Sequence, residues 1–377
     1  MRIAVPKEKA SGERRVALVP ETVARLVEMG IEVGIESGAG ERAGFPDKEY
    51  EAAGARVLPD AAAVFAGSDV VLKVQRPTAE EAGQIPTGAL LISFLQPSSS
   101  VDVIRVLTER RVTSLSLDLV PRITRAQKMD ALSSQATVAG YKAALLAADH
   151  LGKFFPMLMT AAGTIPPARV LVVGAGVAGL QAIATARRLG AVVQAFDIRP
   201  AVKEQVESLG ATFVGLTVEE AEDKGGYAKE VSEDVHRREQ ELLHRLVAEA
   251  DVVITTAQVP GKKAPVLITA EMVNAMRPGS VIVDVAADSG GNCALTEPGR
   301  QVEHNGVTII GLTNAPSGLP THASQMYSRN VAALLLHVVR DGAIHVDLED
   351  EITGACCVTH GGSVVHPAAQ ALVAAGS

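Results

Sequence analysis

Aromatic side chains are scarce in this chain, which has no tryptophan, four tyrosines and seven phenylalanines among 377 residues. Proteins that bind single-stranded nucleic acid stack the bases on aromatic rings, so this composition argues against that class. Basic residues are also fewer than acidic ones: the chain has 35 Lys and Arg and 43 Asp and Glu, which gives a net charge of −8. A phosphate backbone requires a basic protein face. We therefore expect no nucleic-acid partner.

Cysteines and long apolar runs are few as well. The three cysteines are too few for a disulfide framework, and their number fits a reducing cytoplasm. The longest apolar run, residues 170–186, contains several glycines and Gln181, which is unlike a membrane span. The N-terminus starts like a β-strand and has no apolar signal core. We predict a cytoplasmic protein without direct membrane insertion.

Metal-ligand patterns are missing from the sequence. The nine histidines are scattered, with no H-x-x-x-H spacing and no His/Cys cluster. His360 and His366 lie in a tail whose cysteines lack the spacing of a zinc site. We therefore expect no metal.

Strand-like apolar runs alternate with helix-period segments along most of the chain. Examples of the strand-like runs are IEVGIES and ALLISFL in the first half, and ARVLVVG, DVVITTA and SVIVDVA in the second. This alternation is typical of βαβ units and a mostly parallel sheet. The strands are too many for one compact sheet. The sequence thus predicts an α/β fold with two Rossmann-like domains joined by long helices.

Two long helices mark the predicted domain boundary. Residues 133–150 read as one helix, and a second begins at His322 and would return the chain to the first domain. We predict a discontinuous first domain, residues 1–134 plus 322–377, and a nucleotide-binding domain over residues 135–321.

The most specific motif is G-x-G-x-x-G, formed by Gly174, Gly176 and Gly179 directly after a strand and at the opening of a helix. Gly174 permits the tight turn, Gly176 lets a pyrophosphate approach the backbone, and Gly179 lets helix and strand pack closely. The N-terminus of the helix offers N–H groups and a positive dipole end to the phosphates. A lone motif of this kind is common, but strand, glycines and helix in this order predict dinucleotide binding.

An acidic residue ends the following strand. Asp197 lies eighteen residues after Gly179, where its carboxylate can accept hydrogen bonds from both hydroxyls of an adenosine ribose. An acid at this position repels a 2′-phosphate and favours NAD(H) over NADP(H). Two alternatives stay open: Asp197 caps the next helix, or Arg199 accepts a phosphate.

With these motifs in view, the chain resembles the soluble NAD(H)-binding component, the alpha subunit, of proton-translocating nicotinamide nucleotide transhydrogenase. It is similar, more distantly, to alanine dehydrogenase. The matching words span nearly the whole chain: VPKE, GERRVAL, KVQRP, RAQKMDALSSQ, GGYAKE, PGKKAPVLIT, MRPGSVIVDVA, GGNCALTEPG and HPA.

The resemblance suggests a role for residues 121–135, PRITRAQKMDALSSQ, which we call the polar segment. In the family it resembles the loop that closes on the nicotinamide end of NADH, which implies catalytic-site roles for Arg122, Gln127, Asp130 and Ser133. Arginine can neutralise pyrophosphate charge, while Gln and Ser can satisfy hydroxyl and amide groups. The alternative is an amphipathic helix, because Ile123, Ala126, Met129 and Leu132 fall at helical spacing.

The resemblance also implies a mobile loop at GGYAKE that folds over the adenosine. Its alternative is an exposed tyrosine on a flexible linker. The complete predicted cofactor-binding set is Gly174, Gly176, Val177, Gly179, Asp197, Ile198, Arg199, Gly226, Tyr227 and Gln258.

Alanine dehydrogenase is the competing enzyme on this scaffold. It needs a general acid/base beside the nicotinamide and cations for a substrate carboxylate. Arg15, Lys73 and Asp288 match that family's pattern, but Gln96 stands where the dehydrogenase carries its catalytic histidine. Glutamine does not exchange a proton near neutral pH, which counts against amino-acid oxidation.

The resemblance therefore favours hydride transfer from NADH to NADP⁺ bound on a partner subunit. It implies a homodimer, NADP(H)-binding and transmembrane partner chains, coupling to proton translocation, and a position peripheral to the inner membrane. A third hypothesis is a non-catalytic NAD-sensing module, which also explains the missing base but leaves the polar segment without a purpose.

Overall fold

The structure is a computed structural model that describes residues 1–215, 233–259 and 261–375. The chain forms two compact units: the first unit is Met1–Gln135 with Pro316–Ser377, and the second unit is Ala136–Ala315. The boundaries of separately folding domains remain a prediction, because compactness alone does not establish independent folding.

The N-terminal part of the first unit alternates strands and helices. Its strands are β1 (Arg2–Val5), β2 (Glu32–Glu36), β3 (Arg56–Leu58), β4 (Val70–Leu72), β5 (Leu90–Ser93) and β6 (Thr113–Ser116). Its helices are α1 (Pro20–Glu28), α2 (Asp47–Ala52), α3 (Ala61–Phe65), α4 (Ala79–Gln84) and α5 (Val101–Glu109).

The long helix α6 (Ala131–His150) leads into the second unit. The strands there are β7 (Leu158–Thr160), β8 (Gly163–Ile165), β9 (Arg169–Val173), β10 (Val192–Phe196), β11 (Thr212–Val214), β12 (Val252–Thr255), β13 (Val281–Asp284), β14 (Gln301–His304) and β15 (Val307–Gly311). The helices are α7 (Val177–Arg188), α8 (Lys203–Ser208), α9 (Glu233–Glu249) and α10 (Ala270–Ala275).

The C-terminal part belongs to the first unit again. It contains α11 (Pro320–Val338), β16 (Val339–Arg340), β17 (Ala343–Ile344), α12 (Glu351–Cys356), β18 (Cys357–His360), β19 (Ser363–Val364) and α13 (Pro367–Ala375). The helix that the sequence extends from His322 to residue 342 ends earlier, at Val338. Asp341 and Gly342 have φ angles of 51° and 75° and close a hairpin between β16 and β17, as Asp-Gly pairs commonly do.

The sheet of the first unit has the strand order β19-β18-β6-β5-β4-β1-β2-β3. The six strands from β1 to β6 are parallel, and the tail adds β18 and β19 in antiparallel pairing beside β6. β4, β5 and β6 are buried along their whole length, as strands are when helices cover both faces of a parallel sheet.

The sheet of the second unit has the order β11-β10-β9-β12-β13-β15-β14. All of its pairings are parallel except that of β14 with β15. The order reverses between β9 and β12, and ligands of doubly wound sheets bind at the carboxyl ends of the strands beside such a switch point. The predicted α/β fold class is confirmed.

The sequence analysis missed the edge strands β3 and β14. β14, Gln301–His304, alternates exposed and half-buried residues and is polar. An edge strand packs on one neighbour only, so it lacks the apolar run that identifies central strands.

Among the described residues, no helix combines the length and the hydropathy needed to cross a membrane.

Candidate functional site

The glycine turn of the second unit joins β9 to α7. Gly174 has a φ of 95°, in the left-handed region that favours glycine. A Cβ on Gly179 would collide with the carbonyl oxygen of Gly174, and would lie 3.0 Å from Thr256 Oγ1. These two glycines are therefore required by the turn itself.

Gly176 has no such internal reason to be glycine. A Cβ there would meet no atom of the described residues within 4 Å. Gly176 is the N-cap of α7, and within the described part of the chain no side chain caps this helix end. The N–H groups and the positive dipole end of α7 are thus available to an anion. This arrangement fits a dinucleotide pyrophosphate, because a side chain at Gly176 would occupy the space that the anion needs.

Asp197 connects the glycine turn to Arg199. Its Oδ2 accepts a hydrogen bond of 2.7 Å from the backbone N–H of Ala175. Arg199 donates to the same carboxylate from its backbone N–H and Nε, both at 2.9 Å, and from Nη2 at 2.7 Å. The side chain of Asp197 is 5% exposed. Asp197 therefore fixes the turn and pairs with Arg199.

The alternative that Asp197 caps the next helix does not hold. A 3₁₀ turn, Pro200–Val202, precedes α8 and has Arg199 as its N-cap, and α8 has Val202. Among the described residues neither start has a side-chain cap. Ile198, between the two paired residues, is half-buried and packs against the core of the second unit.

Gln258 follows β12 and is exposed, and its Nε2 donates to Ser289 Oγ. The buried Asn292 holds Ala257, the residue before Gln258. Its Oδ1 accepts a hydrogen bond from the N–H of Ala257 at 2.9 Å, and its Nδ2 donates to the carbonyl of Ala257 at 2.8 Å. Sequence reasoning missed Asn292, although the glycines before it in GGNCALTEPG signal a constrained turn.

Gly226 and Tyr227 of the predicted mobile loop lie outside the described residues. Their predicted roles stay predictions.

The polar segment in the first unit forms a pocket. The pocket has a volume of about 420 Å³ and is lined by Pro121, Arg122, Ile123, Thr124, Gln127, Asp130 and Ser133. All four residues that the family resemblance singled out in this segment therefore meet at one cavity.

The polar segment is not one continuous helix. A 3₁₀ turn spans Thr124–Met129, and α6 begins at Ala131. Between them Asp130 accepts hydrogen bonds from the backbone N–H of Ser133 at 2.8 Å and from its Oγ at 2.6 Å. Asp130 thus caps α6, which explains why this helix starts two residues before the predicted position.

Arg15 is buried and paired in the first unit. Its Nε and Nη2 donate to the two carboxylate oxygens of Glu13 at 2.8 and 2.7 Å, and its Nη1 donates to Gln135 Oε1 at 2.8 Å. Burial alone would raise the pKa of Glu13, but the hydrogen bonds and charge of Arg15, together with hydrogen bonds from Ser317 and Gln75, outweigh it and lower this pKa to about 2. Sequence reasoning identified the arginine and missed its carboxylate.

Lys73 lies between two carboxylates of the same unit. Its Nζ is 3.3 Å from Glu8 Oε2 and 3.4 Å from Glu81 Oε1, and the lysine side chain is 1% exposed. Burial opposes the charge of Lys73, but Glu8 and Glu81 together raise its pKa. The pKa of Glu8 is raised, because the effect of burial exceeds the opposing effect of the charge of Lys73.

Gln96 lies at the carboxyl end of β5 with its side chain exposed. Its φ is 48°, a left-handed conformation that is uncommon for a residue other than glycine. Asp118 holds it there, because Asp118 Oδ2 accepts from the backbone N–H groups of both Leu95 and Gln96 at 2.7 Å. The loop is therefore fixed by an acid that the sequence pattern did not reveal.

Asp288 belongs to the second unit and is exposed. Its Oδ2 accepts a hydrogen bond of 2.9 Å from the backbone N–H of Asn314, whose φ is 42°. Within the described part of the chain, no group of three His, Cys, Asp or Glu side chains is placed to hold a metal ion.

Two family models match the chain. The model described as "Alanine dehydrogenase/PNT, N-terminal domain" matches residues 4–139, and "Alanine dehydrogenase/PNT, C-terminal domain" matches residues 143–367.

Individual relatives cover nearly the whole chain. A Rhodospirillum rubrum protein, named as the first part of NAD(P) transhydrogenase subunit alpha, is 50% identical over 98% of this chain and 98% of its own length. The crystal structure of transhydrogenase from Sinorhizobium meliloti has a TM-score of 0.85 at 44% identity and covers 98% of this chain and 100% of that one. Alanine dehydrogenase of Bacillus subtilis is 30% identical over 98% of this chain and 93% of its own length. The resemblance drawn from the sequence motifs is confirmed, and the chain belongs to the alanine dehydrogenase/PNT family.

Proposed function

We propose that the second unit binds NADH at the glycine turn, and that the chain gives the hydride of this NADH to NADP⁺ bound on a partner subunit. The observation that carries the nucleotide part is the uncapped start of α7 at Gly176, where the chain's own packing gives no reason for a glycine. An anion at the helix N-terminus supplies that reason.

The pairing of Asp197 with Arg199 supports NAD(H) rather than NADP(H) at this site. Arg199 approaches the carboxylate of Asp197 with its Nη2 at 2.7 Å, so its charge is already compensated. A 2′-phosphate placed here would be repelled by the carboxylate of Asp197, and the charge of Arg199 is already compensated by that carboxylate. Ribose hydroxyls, in contrast, can donate to the carboxylate.

The residues of the polar segment support hydride transfer without proton transfer. Transfer between two nicotinamides moves no proton at the reacting carbons and depends on proximity, orientation and exclusion of water. When bound, the dihydronicotinamide supplies the hydride. In this proposal Gln127 and Ser133 orient its ring and ribose by hydrogen bonds, while Arg122 compensates phosphate charge and Asp130 holds Ser133 in place.

The degree of similarity supports the same choice. The relative named as a transhydrogenase alpha subunit is 50% identical to this chain, whereas the Bacillus subtilis alanine dehydrogenase is 30% identical. We propose NADP(H)-binding and transmembrane subunits as partners, proton translocation as the coupled process, a homodimer as the oligomeric state, and a cytoplasmic position peripheral to the inner membrane.

Alanine dehydrogenase activity is the second candidate, because Arg15, Lys73 and Asp288 are retained. A substrate carboxylate would have to compete for Arg15 and Lys73 with Glu13, Glu8 and Glu81, which pair with these cations in the structure. Gln96 would also have to replace an acid/base group, which an amide does not do.

The test follows deuterium from 4-deuterated NADH by mass spectrometry. With pyruvate and ammonia the purified chain is expected to bind NADH, seen by fluorescence, and to form no deuterated alanine. With a purified NADP(H)-binding subunit and NADP⁺, deuterium is expected in NADPH. Deuterated alanine would establish the dehydrogenase instead. Binding of NADH without transfer to either acceptor would favour a sensing module.

A further inference from the structure

The turn at Thr124–Met129 is attached to α11 within the first unit. Asn330 of α11 donates from Nδ2 to the carbonyl oxygen of Lys128 at 2.8 Å. The other end of the same amide, Oδ1, accepts from Ser134 Oγ at 2.6 Å. One buried amide therefore holds the polar segment at two points, on either side of Asp130 and Ser133.

The attachment continues from Ser134 to a buried ion pair. Gln135 Nε2 donates to Ser134 Oγ at 3.2 Å and to the carbonyl of Ala323 at 3.1 Å. Gln135 Oε1 accepts from Arg15 Nη1 at 2.8 Å, and Glu13 fixes the other side of that guanidinium. A continuous series of hydrogen bonds thus runs from Glu13 to the backbone of Lys128.

Four of the five side chains of this series are buried, and the fifth, Ser134, is half-buried. The four buried residues are exposed by 1% (Glu13), 4% (Arg15), 6% (Gln135) and 8% (Asn330). Buried polar groups are costly unless they are satisfied, and a satisfied network fixes a single geometry. Apolar side chains would be enough for packing here. The buried polar network therefore indicates that the polar segment must be placed precisely.

We propose that Arg15 and Asn330 are positioning residues for hydride transfer, acting through Gln135 and Ser134 on the polar segment. The inference rests on the proposed function of that segment. Arg15 then has a use that is unlike carboxylate recognition: its planar fork joins Glu13 to Gln135, which a lysine with its single ammonium group does not reproduce.

The test uses the full-length chain assembled with its NADP(H)-binding partner. Arg15→Lys removes the fork, and Asn330→Asp removes the donor to Lys128 while keeping shape and the acceptor for Ser134. Arg110→Lys is the matched control, since Arg110 is an arginine of the same unit that donates to the carbonyl of Ile85, outside the network. Each variant is measured for NADH affinity, for the rate of deuterium transfer to NADPH, and for thermal stability.

Both network variants are expected to transfer deuterium at least about tenfold more slowly, because small displacements of reacting groups have large effects on rate. Their NADH affinity is expected to fall by a much smaller factor than their transfer rate, since the glycine turn is untouched. The control is expected to lose stability without losing rate. Unchanged transfer rates in Asn330→Asp, or rates that fall in proportion to stability in all three variants, would overturn the inference. Absence of transfer in the unmodified chain would instead contradict the proposed function.

Discussion

The two units share the order of their parallel strands but connect their first strand and first helix differently. When the antiparallel strands β14, β18 and β19 are left out, both sheets run 3-2-1-4-5-6. In the second unit only residues 174–176 separate β9 from α7, whereas in the first unit residues 6–19 separate β1 from α1. Among the described residues neither helix start has a side-chain cap. In the first unit, Pro20 at the start of α1 removes an N–H that an anion would use.

The long connection of the first unit carries ionisable groups that pair with cations of the same unit. Glu8 accepts from the backbone N–H of Val74 at 2.6 Å and pairs with Lys73. Glu13 pairs with Arg15. These buried groups occupy the carboxyl ends of the strands, where a doubly wound sheet otherwise receives its ligand. The same order of parallel strands thus carries the nucleotide site in the second unit and an internal polar network in the first.

The largest effect on stability is expected from Gly179→Ala, which disrupts the packing of the short connection between β9 and α7. The new methyl group collides with the backbone of Gly174, and the helix must move away from β9. We expect the free energy of unfolding to fall by more than about 4 kcal/mol, the range of severe core changes. Urea unfolding measures it, with Gly176→Ala as the control on the same turn. If both variants lost equal stability, the steric account of the turn would be wrong.

A smaller effect on stability is expected from Glu13→Gln, which removes the ion pair with Arg15 in the long connection between β1 and α1. The fall in the pKa of Glu13 from 4.5 to about 2 corresponds to about 3 kcal/mol of stability at neutral pH. Because the folded-state pKa is lowered, this contribution is complete above pH 4.5 and is lost as the pH falls towards 2. The stability difference between the unmodified chain and the variant should therefore shrink over that range.

The control for this pH dependence is Glu21→Gln. Glu21 pairs with Arg25 at 2.8 Å on the surface, where such pairs contribute less than about 1 kcal/mol. A pH-independent difference for Glu13→Gln, or an equal loss in Glu21→Gln, would contradict the description of Glu13 as a buried, stabilising anion.

The local signals in the sequence predicted the second unit better than the first. Gly174, Gly176 and Gly179 act within six residues of each other, so their spacing alone describes the turn. The pairing of Arg15 with Gln135 and of Asn330 with Lys128 joins residues 120 and 202 positions apart. The periodicity of the sequence does not predict such a contact, and the family resemblance was needed to assign a role to the polar segment.

Short and capped elements escaped prediction for a related reason. Asp130 reads as one more polar residue in a helical pattern, yet its carboxylate ends one turn and starts α6. Asp118 likewise holds Gln96 in a left-handed conformation through two backbone N–H groups. Side chains that bind the backbone act through geometry that residue type alone does not specify.

The most direct test of the account is the number of NADH molecules bound per chain, measured by calorimetric titration of the unmodified chain and of Gly176→Val. The account predicts one NADH per chain, with affinity at least about tenfold lower in the variant. Little change is expected in the unfolding free energy, because a Cβ at position 176 meets no atom of the described residues within 4 Å. Two NADH per chain, or one NADH bound with unchanged affinity by Gly176→Val, would contradict it.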